Sequence, residues 1–149
     1  MSDRQAISDM AALAQLRTVL TQRAADEAKL AADRAEGCRN AHARAEELSL
    51  ASIAAWSAHL ADTRFDPAIG LLLAANAVAR DQEAAHHRTE RDRSVSEAAR
   101  HQARFERAMA EEKVGKALLI DLRRRAERER EEQKLAEVGD LVTSKWRQR

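Results

Sequence analysis

Five histidines, one cysteine and 25 carboxylates are the residues of this 149-residue chain that could do chemistry. The spacing Glu83-x-x-His86 puts a carboxylate and an imidazole on one helical face, as in the ligand pairs of di-iron bundles. That chemistry needs two such pairs and two further glutamates from four helices, and no second Glu-x-x-His occurs. Glu97 and His101 stand four apart on another part of the chain, and His86 and His87 are adjacent and so point apart. The histidines therefore read as polar seam or surface residues, and no metal or other cofactor is expected.

Nucleophilic catalysis has less support. There is no glycine-rich phosphate loop, no G-x-S-x-G and no tyrosine. Cys38 is single, so it forms no internal disulfide. In its alanine-rich surroundings it reads as a small buried or half-buried side chain. The chain is expected to be no enzyme and to take no small-molecule substrate. Arg123-Arg124-Arg125 is a basic cluster, but Glu127, Glu129, Glu131 and Glu132 follow at once, and the net charge is +1. A phosphate-binding surface needs an unbalanced positive field, so a nucleic-acid partner is not expected.

The elements that would position these residues are helices. Charged residues make up 34% of the chain and aromatics 3%, with four glycines and one proline. Abundant Ala, Glu, Arg and Leu with few breakers is the composition of long helices and coiled coils. From Leu13 a line of small and apolar residues recurs at spacings of three and four: Leu16, Leu20, Ala24, Ala28, Ala31, Ala35, Cys38, His42, Ala45, then Leu48, Ser52, Trp56 and Leu60. Gly37 lies inside it, and helix is expected to continue across it. Asp66-Pro67 is a start signal, with an acidic cap followed by the residue best suited to the first helical position.

The reading is an all-α, long antiparallel two-helix coiled-coil hairpin filling residues 1–149. Helix 1 spans about 4–63, the turn 64–66 and helix 2 about 67–146. At 1.5 Å per residue the arms are about 90 and about 120 Å long. Folding at residues 65 and 66 sets residue i near residue 131 − i, so that Leu16 meets Val114 and Leu13 meets Leu118. Beyond roughly residue 129 the second arm has no partner within the chain. Yet it carries Leu135, Val138, Leu141, Val142 and Trp146, with Gly139-Asp140 placed to kink or end the helix. An exposed apolar cluster of this kind marks a contact surface, for a different protein or for the chain itself. The N-terminus has no apolar core of signal-peptide length and no segment approaches a membrane span. The expected location is cytoplasmic.

The stretches ARFERAMAEEKVGKALLIDLRRRAERERE and EEQKLAEVGDLVTSKW, with the hairpin layout, resemble the FliJ/YscO family of type III secretion and flagellar export stalk proteins. The resemblance implies a non-enzymatic stalk, peripheral to a membrane export apparatus. Its paired helix ends would sit in the opening of a hexameric export ATPase. The remainder would reach the export gate, and export chaperones are further candidate partners. Carried onto this chain, it implies ATPase-facing residues Leu13, Leu16, Leu20, Leu118, Leu119, Leu122, Arg123, Arg124 and Arg125, with the overhang from Leu135 to Trp146 extending the stalk or docking on the ring. The alternative is a generic cytoplasmic coiled-coil adaptor, or a dimeric bundle paired through the alanine face.

Overall fold

The structure, a computed structural model, describes residues 3–147. It is an all-α hairpin of two helices packed against each other, α1 (Asp3–Leu60, 58 residues) and α2 (Pro67–Arg147, 81 residues), and no strand occurs among the described residues. Neither helix is interrupted at its internal glycines. α1 runs through Gly37 as expected. α2 also runs through Gly139, where a kink or end was expected. A single glycine costs a helix only about 1 kcal/mol, and Thr143 Oγ1 donates to the Gly139 carbonyl at 2.8 Å, which ties the next turn to this one.

The turn is longer than the sequence suggests. α1 stops at Leu60 rather than near residue 63, because the chain after it finds better partners outside the helix. The Asp62 N–H bonds the His59 carbonyl at 3.2 Å, an i→i−3 tightening. The Asp62 carboxylate then takes the Arg64 N–H at 3.0 Å. Asp66 caps α2, accepting the Ala68 N–H at 2.8 Å on its side chain and the Gly70 N–H at 2.9 Å on its carbonyl. His59 Nε2 lies 3.0 Å from that same carbonyl. The Phe65 ring tilts against the His59 ring at 5.3 Å between centroids and lies over Gly70, where a Cβ would come within 3.0 Å of it. A Cβ there would press on the aromatic edge and push the Phe65 ring aside.

Contacts divide the chain into two units, each built from both helices: Ala25–Arg104, which contains the turn, and Met1–Ala24 with Phe105–Arg149, which contains the chain ends. In the turn unit the shielded positions of α1 recur every seven residues, Ala28, Ala35, His42 and Ser49, with Ala31, Cys38, Ala45 and Ser52 interleaved. On α2 they are Gly70, Ala77, Ala84, Arg91 and Ala98, interleaved with Leu73, Arg80, His87, Ser94 and His101. A strict seven-residue repeat is the signature of a left-handed coiled coil. Polar contacts cross between the helices. Cys38 Sγ lies 3.2 Å from Ser94 Oγ, and Asn76 Nδ2 donates to Ser52 Oγ at 3.3 Å. The seam is rich in small residues, each contributing about a methyl group, roughly 0.8 kcal/mol, so much of the stability comes from many thin layers.

The unit with the chain ends continues the same period. Ile7, Met10, Ala14, Arg17 and Thr21 line it on α1, and Phe105, Ala108, Glu112, Gly115, Leu119, Leu122 and Ala126 on α2. Thr21 Oγ1 donates across the seam to the Ala108 carbonyl at 3.1 Å, which fixes the register. Past Ala126 every described residue of α2 is exposed.

Candidate docking surface

The unit with the chain ends carries every sequence-selected partner residue, and the seam sorts them into two groups. Leu119 and Leu122 are half-buried between the helices and hold the hairpin together. Leu13, Leu16, Leu20 and Leu118 lie outside the seam and are exposed, as are Arg123, Arg124 and Arg125. The expected stripe through Leu13, Leu16 and Leu20 is thus not the buried one. The buried line is one step over, through Met10, Ala14, Arg17 and Thr21. Both lines have three-and-four spacing. The alanines from Ala28 to Ala45 set the phase, and a helix carries that phase back to Ala14 without a break.

Moving the seam off the leucines leaves an apolar face open to solvent. Met10 and Leu13 of α1 and Val114 and Leu118 of α2 wall a shallow open hollow of about 400 Å³. Its floor is low because Gly115 has no side chain, and a Cβ there would stand 3.2 Å from Arg17 Cδ. Leu13 and Leu118, expected to meet, do share this hollow. Arg17 closes one edge with an ion pair to Glu111 at 2.9 Å, on a carboxylate that is mostly solvated. Arg17 and Gly115 stand outside the expected apolar stripes, and the seven-residue phase of the alanine run is the signal that finds them; Val114, expected near Leu16, lines the hollow instead.

Beside the hollow sits a carboxylate of the seam. The Glu112 side chain is 14% exposed, bonded by Lys116 one turn on and by Thr18 Oγ1 at 2.9 Å across the helices. The Lys116 ammonium, then the hydroxyls of Thr18 and Thr21, hold its carboxyl below the usual carboxylate range, against a smaller opposing effect of burial. This is a structural anchor. A catalytic acid would need its pKa raised, not lowered.

Further along α2 the surface turns charged, then apolar. Asp121, Arg124, Glu127, Arg128 and Glu131 surround an open hollow of about 360 Å³, which brings Arg124 of the arginine cluster beside alternating carboxylates. Leu135 is 71% exposed, Val142 50% and Trp146 80%; Val138 and Leu141 fall between. No segment of the chain covers them among the described residues.

Among the described residues no group of three or more His, Cys, Asp or Glu could hold a metal ion. His42 and His87 lie in the seam, His86 is exposed, and His101 Nδ1 stands 3.8 Å from a Glu27 carboxylate oxygen. No described helix is long and apolar enough to cross a membrane. No protein-family model, no curated protein and no solved structure matches this chain. The surface itself combines an apolar hollow, a mixed-charge belt and a bare apolar tail.

Proposed function

We propose that this chain is a non-enzymatic stalk of a type III secretion or flagellar export apparatus. In this reading the unit with the chain ends docks on a hexameric export ATPase, and the rest of the hairpin addresses the membrane export gate and its chaperones. One observation carries it: α2 extends past its partner helix and leaves Leu135, Val138, Val142 and Trp146 bare. Each such side chain stabilises a complex by about 1.5–3 kcal/mol when covered, so the tail is suited to anchoring. The exposed Arg123, Arg124 and Arg125 with the following glutamates supply charge contacts that can break and re-form as a ring changes state.

A dimeric bundle joined through the alanine face has less support. The alanines Ala14, Ala28, Ala31, Ala35 and Ala45 are already buried inside the hairpin. The test is a pull-down between the purified chain and the export ATPase of the same organism, repeated with Leu135→Ser/Val142→Ser. Retention of the ATPase by the unaltered chain and its loss with the variant is the expected result. No retention by either removes the secretion reading.

A further inference from the structure

The outer face of α2 carries a second line of residues, distinct from the seam. Val114, Asp121, Arg128, Leu135 and Val142 recur every seven residues, and Leu118, Arg125, Glu132, Gly139 and Trp146 stand four beyond each of them. All ten are exposed. The order along the helix is apolar, charged, apolar, and it is nearly the same read from either end.

We infer that a second copy of this chain covers this line, lying antiparallel across a two-fold axis at Arg130. In that arrangement Trp146 of each copy enters the other's hollow beside Val114, between Met10, Leu13 and Leu118. Val142 meets Leu118, and Gly139 leaves room for Asp121. Leu135 lies along the aliphatic stem of Arg125, and Arg128 faces Glu132 once on each side of the axis. Charge complementarity selects this register. A slip of seven residues one way sets Arg125 against Arg128 and Asp121 against Glu132, two like-charge contacts repeated by the symmetry. A slip the other way sets Asp121 against Trp146 and Val142 against Arg125. A central charged pair that specifies register, flanked by apolar layers, is how antiparallel helices choose one pairing among several. The pairing covers Leu118, Leu135, Val142 and Trp146, so any other docking protein competes with the second copy. The dimer itself does not depend on the secretion reading.

Sedimentation equilibrium of the full chain tests this. The expected result is a dimer whose dissociation constant rises roughly tenfold with Arg128→Glu or with Glu132→Arg, and returns with the double exchange Arg128→Glu/Glu132→Arg. In a Cys38→Ser background, Leu118→Cys with Val142→Cys is expected to give a covalent dimer on mild oxidation. Unchanged circular dichroism shows that these exposed substitutions leave the helices intact. A monomer at every concentration overturns the inference, whether or not a different protein binds the stripe. So does a dimer indifferent to the charge exchanges that also fails to cross-link.

Discussion

Arg17 of α1 lies directly over Gly115 of α2, so close that a Cβ on the glycine would stand 3.2 Å from the arginine Cδ. The pair shows how the chain ends are held. Here the seam takes small residues and the stem of Arg17 and leaves Leu13, Leu16 and Leu20 outside, while Leu119 and Leu122 stay half-buried within it. Burial by approach of backbones replaces burial by bulk, and the leucines so freed become the exposed face.

Substitutions should separate the two kinds of position. Ala35 is 1% exposed in the turn unit, and Ala35→Leu overfills its layer. A loss of about 1–3 kcal/mol in urea unfolding is expected. Leu16 is 54% exposed, and Leu16→Ala is expected to change stability by less than about 0.5 kcal/mol. By composition alone the order would be the reverse.

His42 is 5% exposed, and its Nδ1 has no hydrogen-bond partner. Its Nε2 stands 3.8 Å from the Glu46 carboxylate, too far for a hydrogen bond. A buried unsatisfied nitrogen costs about 1–3 kcal/mol, and leucine has a similar size. His42→Leu is therefore expected to raise unfolding stability by about 1 kcal/mol at neutral pH. A clear loss in the same urea titration would mean that the imidazole has a partner of its own.

Glu112 gives the chain-end unit an acid-sensitive element. Its carboxyl titrates lower in the folded chain than in the unfolded one, because Lys116, Thr18 and Thr21 bond the ionised form. The stability it lends is therefore complete above the unfolded value of about 4.5 and disappears as pH falls through the lower folded value. Melting temperatures of the unaltered chain and of Glu112→Gln are expected to differ at pH 7 and to converge as pH falls through the lower folded value. A constant gap across that range would exclude the linkage.

The hairpin was legible from Asp66-Pro67, from the three-and-four spacing and from the scarcity of breakers. The register was too: Cys38 with Ser94 and Thr21 with Ala108 lie within two residues of the expected pairing. The facing of the first twenty residues was not. Leu13, Leu16 and Leu20 have seam spacing and the size usually found inside, whereas Arg17 and Thr21 look like surface residues. What decides is continuity of phase with the alanine run, a property of the whole helix that no local window contains. The end of α1 at Leu60 was hidden for a different reason, since the Asp62 and His59 bonds that stop it depend on the turn already being closed. The bare tail was legible from arithmetic alone, because unequal arms leave a remainder.

That remainder is also the central claim, and amide hydrogen exchange measures it directly. In the Arg128→Glu chain, where self-pairing is weakened, amides from residue 130 to 147 are expected to exchange orders of magnitude faster than those from Phe105 to Ala126. An uncovered helix of that length is only marginally stable in water. Equal protection of the two segments in that chain would contradict the account, for it would mean that the hairpin already shelters its own tail.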